Sequence, residues 1–185
     1  MKALPSMKVV RKRFVVHEHH ARNLHFDLRL EIDGVLISWA VPKGPSMRAA
    51  EKRLAVAVPD HSLGYIDYEG TIDEGKYGAG DVRIWDDGKY ETAADPAKQL
   101  ENGKLVVTFF GLQLRGEFVL VRIYGRDDQW LLIKAHDHYA DPEWQLATVL
   151  PTKKERRETH ALNKRTRFRP IATFLNRLWF PLQGG

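Results

Sequence analysis

Four of the eight histidines in the chain lie within nine residues, at His17, His19, His20 and His25, and Asp27 follows closely. A neutral imidazole is a good ligand for Mn, Zn or Fe, and a carboxylate is a hard anionic ligand. In a β-strand, residues two apart project from one face with Cα atoms ~7 Å apart, so His25 and Asp27 can both reach one ion. His19, on the preceding segment, is the third candidate ligand, and this set would leave open positions for a substrate.

The strand that must present these residues reads HFDLRLEID, from His25 to Asp33, in strict alternation. Its apolar residues share one face, whereas His25, Asp27 and Arg29 share the other. The guanidinium of Arg29 is suited to bidentate binding of a phosphate group. The same pattern is also typical of the solvent face of any amphipathic strand, and the neighbouring histidines are what favour a metal site.

Antiparallel strands are predicted on both sides of this segment. Asp33-Gly34 predicts a hairpin that returns through Val35–Val41, and Asp87-Gly88 and Asn102-Gly103 predict further turns. Many short strands separated by Gly and Asp indicate a sandwich or barrel. The other predicted strands are Arg13–Val16, Leu54–Val58, Tyr65–Glu69, Asp81–Trp85, Lys104–Phe110, Glu117–Tyr124 and Gln129–Ala135.

Helical signals are few. Short helices are expected at Ser46–Lys52 and at Asp95–Leu100, where Asp95 could cap the helix and proline follows it. Near the C-terminus, an apolar stripe recurs at helical spacing, which predicts an amphipathic helix that docks on the barrel or binds a partner. The expected fold is therefore mainly β: a single antiparallel β-barrel with short helices and a C-terminal helical extension. The stripe comprises Ile171, Phe174, Leu175, Leu178 and Trp179.

The net charge of +5 is unevenly distributed along the 185 residues. Residues 1–13 hold five Lys or Arg and no acid, and Lys153–Arg177 hold nine against two acids. The remaining 15 basic and 22 acidic residues leave the body with a net charge of −7. This excludes a generic polyanion-binding body, and makes the basic run near the C-terminus a candidate nucleic-acid contact. We predict a basic arm (1–13), a β-barrel domain (14–150) and a C-terminal extension (151–185).

The chain contains no cysteine, which excludes disulfides and thiolate metal sites. Its sequence has no apolar run of the ~18 residues that a membrane span needs, and the basic N-terminus lacks the apolar segment of a signal peptide. These features predict a cytoplasmic protein without a membrane partner.

Two glycine-containing loops could shape a phosphate site. The first, Trp39–Ser46, is bracketed by Pro and Gly and contains a single lysine, Lys43. The second, Gly75–Val82, places three glycines around Tyr77. Tight turns alone would explain both loops, because glycine permits positive φ and close backbone approach. In the functional interpretation, Lys43 enters a phosphate site and Tyr77-Gly78 forms part of its wall.

Taken together, these motifs carry a resemblance. The run FVVHEHHARNLHFDLRLE (Phe14–Glu31) resembles the opening signature of the 3′-phosphoesterase domain family of bacterial and archaeal DNA ligase D. Later segments follow in the family's order, so that the resemblance extends from Phe14 to Asp137. Those segments are SWAVPKGPS, KRLAV, DHSLGY, EGTIDEGKYGAGDV, WDDG, LVVTFFGLQLRGEFVLVRI and WLLIKAHD.

The resemblance implies a β-barrel with a polar crevice and a divalent metal, typically manganese, with zinc or cobalt as the other choices. The metal ligands would be His19, His25 and Asp27. It implies removal of a 3′-terminal ribonucleoside from a primer strand of a primer-template, leaving a 3′-phosphate, and then hydrolysis of that phosphate. The expected partners are nucleic-acid 3′ ends and a separate ATP-dependent DNA ligase, with the chain acting as a monomer. Phosphate contacts are implied for Arg29, Lys43, Arg53 and His61, with Tyr65 nearby.

Two departures from the family pattern bear on the second reaction. Some members carry a glutamate just before Asp-His, where this chain has Pro59, and some carry a longer N-terminal extension. Because that extension supports cleavage of the phosphomonoester, the resemblance implies the diesterase step more firmly than the monoesterase step.

Two other functions fit some of the residues. An Fe(II)-dependent oxygenase would use His25 and Asp27 with a distant histidine, His136, although Leu146 stands where a 2-oxoglutarate enzyme would normally place an arginine. A non-catalytic barrel could instead bind single strands through exposed aromatic residues. That second function leaves the cluster of His19, His25 and Asp27 unexplained.

Overall fold

The computed structural model describes residues 10–151. Within this range the backbone forms nine strands, one short α-helix and one 3-10 helix. The strands are β1 (Val10–His20), β2 (Leu24–Ile32), β3 (Val35–Val41), β4 (Lys52–Ser62), β5 (Gly70–Ile72), β6 (Gly80–Thr92), β7 (Lys104–Phe110), β8 (Arg115–Arg122) and β9 (Gln129–Lys134). The 3-10 helix is Leu63–Asp67, and helix α1 is Pro96–Glu101.

The strands form one antiparallel sheet in the order β1-β2-β3-β4-β9-β8-β7-β6, and β1 also pairs with β6. This last pairing closes an eight-stranded barrel, which confirms the predicted fold class. The short β5 adds to the same edge of β6 as β7, but at the opposite end of β6. Strand β9, the last in sequence, lies between β4 and β8.

Alternation along β2 decides which residues enter the barrel. Phe26, Leu28 and Leu30 are almost fully buried in the main apolar core. Full burial of such a side chain contributes ~2 kcal/mol, so a one-residue slip of register would be costly. The intervening residues, including Asp27 and Arg29, therefore project outward from the barrel wall.

Two turn and cap predictions are confirmed. The hairpin between β2 and β3 turns at Asp33 and Gly34, both with positive φ. Helix α1 begins after Asp95, whose side chain accepts a hydrogen bond from the backbone N–H of Ala97, with proline at the first helical position. The carboxylate thus satisfies one of the free N–H groups at the helix start.

Three local predictions are wrong. Ser46–Lys52 is not a helix: residues 46–51 form an irregular segment with a bend and a turn, and Lys52 begins β4. The predicted strand Tyr65–Glu69 overlaps the 3-10 helix, where Ile66 is buried in a small second core. Asp87-Gly88 is not a turn but lies inside β6. A Cβ at Gly88 would come within 2.6 Å of the Phe110 carbonyl oxygen, which explains why a glycine occupies this strand position. That glycine allows two strands to approach closely.

The predicted ends of the chain are only partly described. Residues 10–13 of the predicted basic arm belong to β1. Residues 1–9 lie outside the described residues, as do the predicted basic run Lys153–Arg177 and the predicted amphipathic stripe that begins at Ile171. The contacts between residues divide the chain into two units, with the boundary between Leu150 and Pro151. Among residues 10–151, no helix is long and apolar enough to cross a membrane.

Candidate active site

The hairpin of β1 and β2 builds the centre of the site. In its register, His19 lies opposite His25, His17 opposite Asp27, and Val15 opposite Arg29. Residues opposite one another in an antiparallel pair project from the same face. The outer face of this hairpin therefore collects His17, His19 and His25 with a carboxylate and a guanidinium, while the inner face packs in the core.

Three of these side chains converge as candidate metal ligands. One ligand atom from each of His19, His25 and Asp27 lies within 4.8 Å of the others. The Nδ1 atom of His19 is 3.5 Å from Asp27 Oδ2, and the Nε2 atom of His25 is 3.6 Å from Asp27 Oδ1. Two nitrogens and an oxygen at this separation could bind a single divalent ion between them.

The backbone fixes which nitrogen of each histidine faces the cluster. His19 Nε2 donates to the carbonyl of Gly78 at 2.7 Å, and His25 Nδ1 donates to the carbonyl of Asn23 at 3.0 Å. A carbonyl only accepts, so the proton must be on these nitrogens, and the other nitrogen of each ring keeps a free lone pair. Metal-binding histidines are oriented by the same kind of outer hydrogen bond, so the donor set fits a divalent metal.

Arg29 is almost fully buried beside the cluster, with 3% of its surface exposed, and makes four polar contacts there. It donates from Nη2 to Asp27 Oδ2 at 3.0 Å and from Nη1 to Ser38 Oγ at 2.9 Å. Its Nε donates to His17 Nδ1 at 3.2 Å, and its Nη1 lies 3.0 Å from His61 Nδ1. The guanidinium is therefore pre-oriented, so that little side-chain entropy remains to be lost on binding an anion.

His61 and Tyr65 complete this side of the site. The Arg29 guanidinium carbon lies 5.1 Å from the centre of the Tyr65 ring, and the His61 ring centre lies 4.8 Å from it. His61 Nδ1 is also 2.9 Å from the carbonyl of Pro59. Since one nitrogen cannot accept from Arg29 and donate to Pro59 together, the two contacts select opposite tautomers, with the proton on Nε2 in the first and on Nδ1 in the second.

These groups line one cavity of about 470 Å³. Its wall comes from β1, β2, β3, β4, the 3-10 helix, β5 and the glycine loop before β6. Tyr77 and Gly78 lie in that wall, as the functional interpretation of the loop predicted. The lining residues are His19, His25, Asp27, Arg29, Ala40, Val58, Pro59, Asp60, His61, Tyr65, Ile72, Tyr77 and Gly78.

Burial and charge set the protonation of the site. Burial alone would raise the pKa of Asp27, but its contact with His19 and the charge of Arg29 outweigh it, so the pKa is lowered and the carboxylate is ionised. Burial, and then the charge of Arg29, lower the pKa of His61, which is neutral at pH 7. Burial raises the pKa of Tyr65, which keeps its hydroxyl protonated.

His17 is a site residue that the sequence analysis did not single out. It is fully buried beneath Arg29, and its Nε2 has no hydrogen-bond partner among the described residues. Burial, followed by the charge of Arg29, lowers its pKa to about 4. A neutral His17 can accept the bond from Arg29 Nε, whereas a protonated ring would repel it. Its place on the same strand face as His19 was the available signal.

Two predicted phosphate contacts lie outside the cavity wall. Lys43 is exposed in the turn after β3. Arg53 shares the face of β4 that carries the buried Ala55, and its guanidinium is ion-paired with Glu51. The structure thus brings Arg29, His61 and Tyr65 close to the candidate metal ligands but does not bring Lys43 or Arg53 to the cavity wall, and the roles of all five residues stay predictions.

His20 is separate from the cluster despite its position next to His19. It is buried and pairs with Glu18, which is fully buried. The Glu18 carboxylate also accepts hydrogen bonds from the backbone N–H groups of Val149 at 2.6 Å and Leu150 at 3.0 Å. This pair therefore fastens the segment after β9 to β1.

Comparison with known proteins identifies the family. The family described as the DNA ligase D 3′-phosphoesterase domain matches residues 17–122. The chain belongs to this family. Membership implies a hydrolase that acts on phosphoester bonds, and it agrees with the family resemblance of the motifs.

Longer relatives contain this domain. A multifunctional non-homologous end joining protein LigD from Pseudomonas aeruginosa is 50% identical over 127 residues, which are 68% of this chain and 15% of the relative. LigD from Mycolicibacterium smegmatis is 44% identical over 147 residues, 76% of this chain and 19% of the relative. LigD from Mycobacterium tuberculosis is 46% identical over 121 residues, 64% of this chain and 15% of the relative. The chain thus spans less than a fifth of their length.

The iron-binding triad of the oxygenase alternative is not assembled. His136 lines a different cavity, with Arg48 and Glu51, and does not join His25 and Asp27. Within residues 10–151, the third histidine or carboxylate that meets these two is His19.

Proposed function

We propose that this chain is a metal-dependent phosphoesterase that trims the 3′ ends of nucleic acid. Its substrate would be a primer strand ending in a ribonucleotide, from which it would remove the terminal ribonucleoside and leave a 3′-phosphate. The observation that carries the proposal is the meeting of a three-ligand cluster, His19, His25 and Asp27, with Arg29 and His61 in one cavity. Hydrolysis of a phosphodiester needs positive charge beside the phosphoryl oxygens, which a bound metal and Arg29 would supply. It also needs a group that can exchange a proton with the water or the leaving oxygen, which His61 would supply.

The ligand cluster would hold a divalent ion, and we propose manganese because two imidazoles suit it better than magnesium. Such an ion would supply Lewis-acid activation of the phosphoryl group and of an attacking water. Zinc and cobalt fit the same donor set.

The protein's own groups would then bind and polarise the phosphate. Four of the five N–H groups of Arg29 are engaged within the site, and the remaining N–H on Nη2 can donate to a non-bridging oxygen as charge builds on it. Tyr65 keeps its proton at neutral pH and can donate a hydrogen bond to the same oxygens. Water adds to phosphorus while the bond to the 5′ oxygen of the terminal nucleoside breaks.

His61 could carry the proton from the attacking water to the leaving oxygen. In the tautomer bonded to Pro59, Nε2 is an acceptor and can take a proton from the water as it adds to phosphorus. The imidazolium formed in this way can then give that proton to the 5′ oxygen, which returns the ring to its neutral form. In the tautomer that accepts from Arg29, the neutral ring can only donate a hydrogen bond from Nε2.

Lys43 and Arg53 would act further from the reacting phosphorus. Lys43 follows β3 two residues after Val41, which lies opposite Phe26, the neighbour of His25. We propose that these cations bind phosphates of the approaching strand. Hydrolysis of the remaining 3′-phosphate, and delivery of the product to a separate ATP-dependent DNA ligase, are part of the same proposal.

A labelled primer with one 3′ ribonucleotide tests the proposal. We expect release of the ribonucleoside, a new 3′-phosphate end, loss of activity on chelation, and better recovery with manganese than with magnesium. A primer ending in a deoxynucleotide is the matched control for ribonucleotide preference. Full activity after exhaustive chelation would contradict the metal requirement, and an uncut primer in manganese would contradict the function.

A further inference from the structure

Tyr77 combines two properties that the proposed chemistry does not use. It lines the cavity that contains the metal-ligand cluster, yet 90% of its surface is exposed. Within residues 10–151, neither its ring nor its hydroxyl has a hydrogen bond or ring contact. An aromatic face left open at the rim of a polar cavity is available for a flat, apolar group of a ligand.

The loop that carries Tyr77 is fixed directly to the candidate metal centre. The carbonyl of the next residue, Gly78, accepts the hydrogen bond from His19 Nε2 at 2.7 Å. Within the loop, the N–H of Lys76 bonds to the Asp73 carbonyl, and the N–H of Ala79 bonds to the Lys76 carbonyl. The backbone of Tyr77 is thereby held close to His19, at the rim of the cavity.

Glycines make this close attachment possible. Gly78 has a φ of 76°, and a Cβ there would lie 3.5 Å from the His19 ring. Gly80 has a φ of 145°, and a Cβ there would lie 2.4 Å from the His20 carbonyl oxygen. A side chain at Gly80 would therefore push the loop away from β1. The loop is built to hold Tyr77 near the ligands.

The division of the cavity suggests what the ring would contact. The metal ligands, Arg29 and His61 suit a phosphate, whereas Tyr77 and Ile72 offer apolar surface from the segment before β6. A nucleotide has the same division between a charged phosphate and a flat base. The cavity, at about 470 Å³, is within the ~300–1,000 Å³ range of sites for small ligands.

We propose that Tyr77 is a stacking platform for the base of the 3′-terminal nucleotide, whose phosphoester enters the metal-ligand cluster. The inference rests on the proposed function and deepens it by assigning a residue that positions the leaving nucleoside. Stacking on an aromatic side chain accepts any base, because every base has a π-face. Recognition at this position would be independent of base identity.

Stopped-flow fluorescence with 2-aminopurine as the terminal base tests this inference. Stacking quenches the probe, so wild-type protein should show a fall in fluorescence on binding and a rise on release. In Tyr77→Ala we expect loss of the fall and a Michaelis constant raised roughly tenfold, with much less change in turnover number. Tyr77→Phe and Tyr77→Trp should retain the quench, because the ring and not the hydroxyl is required.

Tyr124→Ala is the matched control, since Tyr124 is fully exposed in the turn after β8. It should leave both measurements unchanged, and Tyr77→Ala should keep the wild-type melting temperature because its side chain is not packed. An unchanged quench and Michaelis constant in Tyr77→Ala would overturn the inference, as would quenching only of a probe placed upstream. A wild-type protein that quenches the terminal probe but releases no nucleoside would instead overturn the proposed function.

Discussion

Two cavities in the described part of the chain are similar in volume, about 470 and 510 Å³, but differ in how their charges are held. In the first, Asp27 and Arg29 are almost fully buried and bonded to each other. In the second, Arg48 and Glu51 are about one-third exposed and lie 3.8 Å apart. Burying a charged side chain costs free energy unless an oppositely charged partner and hydrogen bonds compensate for the lost water. Volume alone does not distinguish the two cavities, whereas the buried, pre-oriented charges of the first cavity do.

The largest effect is expected when a ligand of the first cavity is removed. His25→Ala and Asp27→Ala should each reduce nucleoside release to background and weaken manganese binding measured by calorimetry. His136→Ala, in the second cavity, should leave both unchanged because His136 is not part of the cluster. Substantial loss in His136→Ala, with retention in His25→Ala, would reverse the comparison.

An intermediate effect is expected at the two predicted arginine clamps. Arg29→Lys should reduce turnover roughly a hundredfold, since an ammonium group cannot keep the fixed hydrogen bonds of the guanidinium and still donate to the phosphate, a contact worth ~3 kcal/mol in the transition state. Arg53→Lys should cost much less, because Arg53 is paired with Glu51 outside the cavity wall. Steady-state kinetics of both variants in manganese measures the difference. Equal losses would show that Arg53 reaches the reacting phosphate.

The smallest effect on turnover is expected from substitution of His17. Its main effect should be on how the free energy of unfolding depends on pH. The pKa of His17 is about 4 when folded, by burial and the charge of Arg29, against 6.5 for a free histidine. Between these values the unfolded chain binds a proton that the folded protein excludes. This contribution to stability is therefore present above pH 6.5 and is lost as the pH falls towards 4, by ~3 kcal/mol in all.

Chemical denaturation of metal-free protein at several pH values measures this loss. His17→Gln can still accept a hydrogen bond from Arg29 but has no proton to bind, so its stability should fall less steeply with acid. A variant with the same pH slope as the wild type would show that His17 is not the group responsible.

The barrel and the grouping of the candidate metal ligands could be predicted from the sequence because both depend on local alternation. His25 and Asp27 are two residues apart on one strand, and His19 lies on the partner strand of the same hairpin. His61 and Tyr65 come from β4 and the 3-10 helix, so only the family resemblance placed them near Arg29. Periodicity contains no information about such distant pairings.

Other features depend on tertiary contacts that single residues do not encode. Tyr65–Glu69 alternates like a strand, but Ile66 packs against Val15 and Leu36, and a 3-10 turn accomplishes this. The strand pattern does not show that His17 is more deeply buried than His25 on the same face, because Arg29, which bonds to His17, comes from the neighbouring strand. Gly88 resembles a turn residue until the close approach of Phe110 is known.

The closure of the barrel determines how short a fragment of this chain can be and still fold as a domain in another protein. The family match ends at residue 122, but β9 lies beyond it and fills the gap between β4 and β8. A fragment cut at 122 would have an open seam with unpaired backbone groups, along which two copies could associate. Glu18 extends the requirement to Leu150, whose N–H it holds. The shortest fragment that keeps these hydrogen bonds must therefore extend to about residue 150, beyond the end of the family match at residue 122.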